Sequence, residues 1–333
     1  MTTPPSPAPG VLPLRRLGRS PVEVTELSFG GAAIGNLFTE VSEDDARATV
    51  DQAWAGGIRT FDTAPHYGLG LSERRLGAAL RDRPRDEYVI STKVGRLLAA
   101  VAPGERGRPD GEGFAVTSNV ARRFDFSADG VRRSLAASLE RLGLDRVDIA
   151  LIHDPDDHGE QAFRAAYPAL ERLRAEGAVR AIGAGMNQSR MLARFVRDTD
   201  VDVVLVAGRY TLLDQSAADD LLPAATARGV SVIAGGVFNS GVLARPSAGA
   251  TYEYTTAPDA LISRARALES ACARFGVPLR AAAARFPLTC PAVASVLIGA
   301  RSPAEIADAI SLRALDIPGK LWAVLPNGSG PWR

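Results

Sequence analysis

Eight short apolar runs, each followed by an amphipathic stretch, limit what this chain can fold into more than any other feature. The runs are Leu27–Ala32, Arg59–Thr63, Tyr88–Thr92, Val147–Ile152, Val179–Ala184, Val203–Val206, Val230–Ala234 and Ser295–Ile298. Strands that are apolar on both faces need cover on both sides, and helices between them supply it, which predicts βα units around a parallel sheet. Eight such units within about 300 residues fit a closed (β/α)8 TIM barrel better than an open doubly wound sheet. An open dinucleotide-binding sheet would carry GxGxxG after its first strand. The residues there are Phe29-Gly30-Gly31-Ala32-Ala33-Ile34-Gly35, which is not that motif.

Local signals punctuate the units. Helix starts are predicted at Ser42 before Glu43-Asp44-Asp45, at Ser72, and at Ser302-Pro303-Ala304-Glu305, a capping-box form. Gly57, Gly143, Gly177, Gly229 and Gly276 each follow a helical run, where a left-handed C-cap residue belongs. Leu14–Arg19 and Val22–Thr25, joined by a Gly-Arg-Ser-Pro turn, predict a hairpin ahead of the first barrel strand. Residues 1–10, rich in Pro, Ser and Thr, are expected to be a disordered leader, leaving 11–333 as one barrel domain. Three connections are too long for plain turns: Val94 to Phe126, Gly235 to Pro258, and the tail after Leu312 with Trp322 and Trp332. Such loops are functional or disordered. The first two follow strands and fall on the C-terminal face, where barrel enzymes place their sites.

Composition excludes several classes of partner. A net charge of +1 over 333 residues offers no attraction to nucleic acid or to an acidic membrane surface. The basic clusters at Arg81, Arg83 and Arg85 and at Arg122 and Arg123 are diluted by acidic neighbours and read as solvated surface. No run approaches the ~20 apolar residues of a membrane span. Cys272 and Cys290 sit alone among apolar residues without metal-ligand spacing, so they read as reduced core thiols. A cytoplasmic enzyme without a metal is the expectation. A homo-oligomer stays open, since neither a coiled coil nor an apolar stripe decides it.

Chemistry concentrates at three successive strand ends. Phe61-Asp62-Thr63-Ala64-Pro65-His66-Tyr67-Gly68 sets an acid and a phenol close together. Ser91-Thr92-Lys93-Val94-Gly95 brings a lysine, and Asp148 to Pro155 brings His153. A carbonyl that accepts hydride becomes an alkoxide and must receive a proton; in the oxidative direction the same group takes the proton from an alcohol. Tyr67 can do both if its pKa falls from about 10, and a neighbouring ammonium favours phenolate, which gives Lys93 its role. Asp62 is placed to partner the lysine, and a neutral His153 to orient the reacting oxygen. His66 is placed to line the site, and His158 is expected to be exposed.

The order of these motifs resembles the aldo-keto reductase superfamily from about Leu14 to Ile310. Leu71-Ser72-Glu73-Arg74-Arg75-Leu76-Gly77 is similar to the helix after that family's catalytic tyrosine. Ser138-Leu139-Glu140-Arg141-Leu142-Gly143-Leu144-Asp145 is similar to its approach to the catalytic histidine. The resemblance implies the catalytic set Asp62, Tyr67, Lys93 and His153, and a hairpin plugging the barrel's bottom. Gly185-Met186-Asn187-Gln188, Arg209-Tyr210-Thr211-Leu212-Leu213-Asp214-Gln215 and Gly236-Val237-Phe238-Asn239-Ser240-Gly241 resemble the sugar 1-dehydrogenase branch. Its members oxidise L-fucose, D-arabinose or L-galactose at the anomeric carbon to a lactone, and pyridoxal 4-dehydrogenases are similar. The alternatives are an NADPH-dependent aldehyde or ketone reductase and, outside enzymes, a cofactor-binding regulatory subunit.

No flavin, metal or pyridoxal-phosphate signature is present, so a nicotinamide dinucleotide must carry the hydride. The resemblance implies a cofactor set of Gly31, Ala32, Asp62, Asn187, Gly236, Phe238, Ser240, Gly299, Arg301 and Glu305. Gly185 and Met186 stand where the family has a Ser-Asn pair, with Asn187 one step later, and Ala207 replaces a Gln. Glycine at the stacking position leaves Phe238 to stack on the nicotinamide. Glu305 stands where NADP-binding relatives carry a cation, and a carboxylate repels a 2′-phosphate but accepts from a 2′-hydroxyl, so NAD is expected ahead of NADP. The substrate, a sugar or another hemiacetal or carbonyl compound, is expected to meet His66, Tyr67, His153, Arg123, Asp125, Arg209 and Trp322.

Overall fold

A computed structural model describes residues 12–325 of the chain. Eight parallel strands close into a barrel: β1 (Leu27–Gly30), β2 (Thr60–Asp62), β3 (Val89–Val94), β4 (Ile149–His153), β5 (Ala181–Met186), β6 (Val203–Ala207), β7 (Ser231–Gly235) and β8 (Val293–Gly299). Each neighbours the next, and β8 returns to β1 with Ile298 opposite Phe29. All eight lie where the apolar runs predicted them. Their ends shift by one or two residues, mostly toward the C-terminal side, so that Lys93 and His153 are strand residues rather than loop residues.

Period-two alternation divides the apolar residues into two cores. Phe29, Phe61, Ile90, Ile152, Ile182 and Val204 point outward and pack under the helices. Val89, Ile149, Leu151, Ala181, Val203, Leu205 and Ile233 point inward and fill the barrel. The hairpin of Leu14–Arg16 against Glu23–Thr25 adds Leu17, Val22 and Val24 to that inner core and plugs the end where the strands begin. Each of these three fully buried side chains contributes roughly 1.5–3 kcal/mol.

The same alternation raises the candidate site. Along β3 the inward positions are Val89, Ser91 and Lys93; along β4 they are Ile149, Leu151 and His153; Asp62 ends β2. Lys93 lies level with Leu151, and Asp62 with Ser91, so apolar layers below give way to a polar layer at the strands' C-terminal ends.

The helices start and stop largely as the sequence signals indicate. Ser42 caps α1 (Glu43–Ala55), its hydroxyl accepting from the Asp45 amide, and Ser302 caps the helix Pro303–Ala314 in the same way. Gly57, Gly143, Gly177, Gly229 and Gly276 all have positive φ. Ser72 is the exception. It sits inside α2 (Leu71–Leu80), whose N-cap is the left-handed Gly70, and its hydroxyl donates to the Gly31 carbonyl at 2.8 Å. Its role is to tie α2 to the β1 loop.

The long connections prove structured. Residues 95–125 form a two-tiered antiparallel ribbon, Arg96–Ala100 with Val120–Phe124 and Arg108–Pro109 with Thr117–Ser118. Its tip docks on the β1 loop, where the Phe38 amide donates to Gly113 O and the Ala115 amide to Asn36 O. The β7 loop carries a second small ribbon, Thr251–Tyr252 with Thr255–Thr256. The tail forms the helix Gly319–Val324; the leader and Trp332 lie outside the described residues. Among the described residues no helix is long and apolar enough to cross a membrane.

Candidate active site

Asp62, Tyr67, Lys93 and His153 meet at the barrel mouth. The Lys93 ammonium donates to Asp62 Oδ2 at 2.6 Å, to Tyr67 OH at 3.0 Å and to the Thr63 carbonyl at 3.1 Å, so all three of its protons are used. The second Asp62 oxygen accepts from the Ser91 hydroxyl. The His153 ring stands edge-on to Tyr67 with centroids 5.9 Å apart. A left-handed turn at Gly68, Leu69 and Gly70 lets the chain reverse into α2 and leaves Tyr67 on the barrel rim.

Burial and charge compete at each group. For Lys93 burial alone would lower the pKa, but the Asp62 carboxylate and then Tyr67 outweigh it, and the ammonium is held charged. For Tyr67 burial is the larger influence and Asp62 adds to it, so the pKa rises to about 12 although Lys93 pulls it down. The sequence-based expectation of a net fall is thus corrected: the lysine opposes desolvation without overcoming it. Burial, with Arg96 and Lys93 nearby, holds His153 neutral, far below its ordinary pKa. Burial and the cations Arg96 and Arg122 likewise push His66 down to about 2.

A cavity of about 430 Å³ opens above this group. Its lining includes His66, Tyr67, Lys93, His153, Ala32 and Asn187, all expected from the sequence. It also includes residues the sequence did not single out: Phe38, Arg96, Glu112, Phe114, Asp154 and Tyr254. Arg96 donates to Asp154 Oδ2 at 2.7 Å, and Arg122 donates from Nε to His66 Nδ1 at 2.5 Å while its fork closes on Asp110. Arg122 is therefore an interior cation, not solvated surface. Arg85 also turns inward, to Asp148 at 2.8 Å. Arg96, Glu112 and Phe114 sit on the 95–125 ribbon and Tyr254 on the β7 loop, whose folding has no periodic signal, while Phe38 stands in the loop after β1 and Asp154 directly after β4.

Other expected residues lie elsewhere. Arg123, one step from Arg122 on the same strand, faces solvent. Asp125 accepts from the Ser127 amide and hydroxyl and pairs with Arg133, which holds its pKa down and makes it part of the entry to helix α3 (Ala128–Leu142). Trp322 packs near Phe286, ring centroids 6.2 Å apart, away from the cavity. Arg209 stands outside the cavity wall and clamps it from behind, donating to Asn187 O at 2.8 Å and pairing with Asp214 and Glu253. His158 is half-buried against Phe124 and Phe126, not exposed.

The cavity floor fits a nicotinamide dinucleotide. Gly185, Leu205 and Ala207 form part of that floor, and a Cβ at position 185 would stand 3.6 Å from Lys93 Cε and fill the space beside it. Asn187 adds an amide to that floor. In the β7 loop, Gly236, Asn239, Ser240 and Gly241 have positive φ, and Asn239 Oδ1 is buried without a partner. Ser240 Oγ accepts from the Tyr254 amide at 3.1 Å. Phe238 packs on the core beneath and does not line the cavity, so it is not placed to stack on a ring there. Gly31 approaches Asp62 too closely for any side chain. Gly299 is exposed, and beyond it Arg301 and Glu305 bind each other at 2.8 Å on the surface.

The sequence matches the aldo/keto reductase family over residues 26–323. The chain belongs to that family. As an aldo-keto reductase it is an oxidoreductase that uses a nicotinamide dinucleotide. It is 48% identical to a D-threo-aldose 1-dehydrogenase of Pseudomonas sp. across 91% of this chain and 93% of that one. It is 39% identical to a pyridoxal 4-dehydrogenase of Microbacterium luteolum across 93% and 96%, and 34% identical to an L-galactose dehydrogenase of Arabidopsis thaliana across 90% and 87%. The fold is shared with the holo form of an aldo-keto reductase from Bacillus halodurans, at a TM-score of 0.73 and 24% identity over 93% of this chain and 94% of that one.

Proposed function

We propose that the protein oxidises the anomeric carbon of a cyclic aldose to a lactone, using NAD in preference to NADP, with Tyr67 as the proton acceptor. The observation that carries the reading is Lys93 bridging Asp62 and Tyr67 at the base of a cavity whose wall sets His66, Arg96, Glu112 and Asp154 among aromatic side chains such as Phe38 and Phe114. Apolar carbonyl compounds have no use for His66, Arg96, Glu112 and Asp154, whereas a polyol pairs with such groups. The 48% identity to a D-threo-aldose 1-dehydrogenase supports the same substrate class.

His153, held neutral, donates from Nε2 to the anomeric oxygen and fixes it beside the Tyr67 hydroxyl. Asp154 Oδ2 stands 3.5 Å from Nε2 and favours the tautomer with the proton there. Tyr67 as phenolate takes the hydroxyl proton while the carbon–oxygen double bond forms, and Lys93 stabilises that phenolate. Asp62 keeps Lys93 charged and in place. Gly185, Asn187 and Ala207 would help to hold a nicotinamide dinucleotide, which would supply the hydride acceptor. A Tyr67 pKa near 12 makes oxidation rise with pH through the alkaline range.

The test is a comparison of kcat/KM for L-fucose, D-arabinose, L-galactose and pyridoxal with NAD⁺ and with NADP⁺, with trapping of lactone. An aldose with NAD⁺ is expected to lead. Turnover of pyridoxal alone, of carbonyl compounds with NADPH alone, or cofactor binding without turnover would each replace this reading with another.

A further inference from the structure

Two cations, Arg96 on the cavity wall and Arg122 behind it, both act on His66. Arg122 Nε donates to His66 Nδ1 at 2.5 Å, and Arg96 Nη1 lies 3.3 Å from the same nitrogen. Arginine has only donors, so His66 Nδ1 has to be an acceptor, and the ring's proton is confined to Nε2. Arg122 is itself fixed: Asp110 takes its fork, and its Nη2 donates to the His66 carbonyl at 2.9 Å. These side chains are nearly buried, at 6% exposure for Arg122 and 5% for Asp110. Glu112 Oε2 also lies 3.6 Å from His66 Nδ1, but at half exposure it does not displace the two guanidiniums.

From its other side Arg96 holds Asp154 Oδ2 at 2.7 Å. One guanidinium therefore spaces a ring that can only donate from an acid that accepts, and both line the cavity next to His153. Asp154 is held there at positive φ. A hydroxyl group, which donates and accepts at once, satisfies both.

We propose that His66, as an Nε2–H donor fixed by Arg122 and Arg96, and Asp154, as acceptor, form a recognition subsite for the hydroxyl on the carbon next to the reacting one. The proposal rests on the aldose reading for its ligand and on the structure alone for the tautomer. Arg122 is a positioning residue: it touches no substrate and acts through the His66 ring.

The two halves are tested separately. Three histidines in the whole chain make imidazole ¹⁵N spectra assignable with His66→Gln and His158→Gln. The cofactor-free protein is expected to show His66 as the Nε2–H tautomer, and Arg122→Gln to turn it into a mixture that Arg122→Lys partly restores. An Nδ1–H tautomer in the parent overturns the proposal whatever the variants do. For recognition, kcat/KM is compared between the best aldose and its 2-deoxy counterpart. The parent is expected to prefer the hydroxylated sugar by at least about tenfold, since an unfilled donor–acceptor pair is penalised. His66→Phe and Arg122→Gln are expected to erase most of that preference, through KM more than kcat. A preference that survives both variants overturns the subsite. A parent inactive on every aldose overturns the substrate reading instead and leaves the tautomer result standing.

Discussion

At Tyr67 two fields oppose each other, and their difference sets what the site can do at neutral pH. Desolvation raises the phenol to about 12, and Lys93 is the group that keeps it from rising further. Tyr67→Phe is expected to reduce turnover by at least about a thousandfold with little change in cofactor Kd, because the phenol interacts with charge that develops only in the transition state. Activity within tenfold of the parent would remove Tyr67 from that role. Lys93→Met is expected to slow oxidation and move its alkaline limb to higher pH, since phenolate then forms without the ammonium; an unshifted limb in the residual activity would show that Lys93 does not tune the phenol. At the proposed adenosine end of the cofactor site, Glu305 accepts from both the Arg301 amide and its guanidinium, at 2.8 Å each, and holds the arginine down. Glu305→Arg frees Arg301 and adds a second cation, so the kcat/KM ratio is expected to move toward NADP⁺ by about 1–3 kcal/mol, less whatever solvent screens. A ratio that stays put would mean that these residues do not face the adenosine ribose.

Elements are held at distances that single residues set. Gly77 in α2 lies against the Leu142 carbonyl at the end of α3, so close that a Cβ there would overlap the backbone. Neither helix can yield easily, because Glu73 ties α2 to Arg141 and to Thr92 of β3. Gly77→Ala would gain about 1 kcal/mol of helix propensity but overpack the contact at a cost of about 1–3 kcal/mol or more. The outcome expected is a net loss of stability, seen as a lower urea midpoint with an unchanged m-value. A stabilised variant would show that the helices are free to separate. The helix periods, the C-cap glycines and the strand runs were legible in the sequence because each repeats a local rule. The 95–125 ribbon was not, since its short strands pair across intervening residues and leave no amphipathic period; only after folding do Arg96 and Arg122 turn inward while Arg123 turns out.

Across the whole molecule the polar layer at the barrel mouth makes stability depend on pH. His66 is held down to about 2 and His153 also stays neutral in the fold, whereas in the unfolded chain both take a proton as pH falls through about 6.5. The unfolded state then binds more protons, so stability falls with pH below about 6.5 and is untouched by these groups above it. Each such histidine steepens the slope by up to about 1.4 kcal/mol per pH unit. Asp154, raised by burial, works in the opposite sense and offsets part of the slope at the lower end. Urea midpoints measured from pH 7.5 down to 5 are expected to drop, and His66→Phe to flatten the drop. A parent and variant with parallel slopes would mean that His66 is protonated in the fold.

The sequence alone determined the eight βα units, because parallel strands demand continuous apolar runs. The plugging role of the hairpin and the four candidate catalytic side chains at three strand ends came from the resemblance of its motifs to the aldo-keto reductases. Tertiary structure decided which arginine of a pair enters the cavity, which acid stands beside His153 and where Trp322 packs. Those outcomes depend on how side chains meet once the loops have folded: Asp110 closes on Arg122 across the ribbon, Arg96 reaches Asp154 from another strand's end, and Arg301 turns onto Glu305 one helical turn away. It also reversed the expected direction of the Tyr67 pKa, because burial is a property of the closed barrel and is written in no single motif.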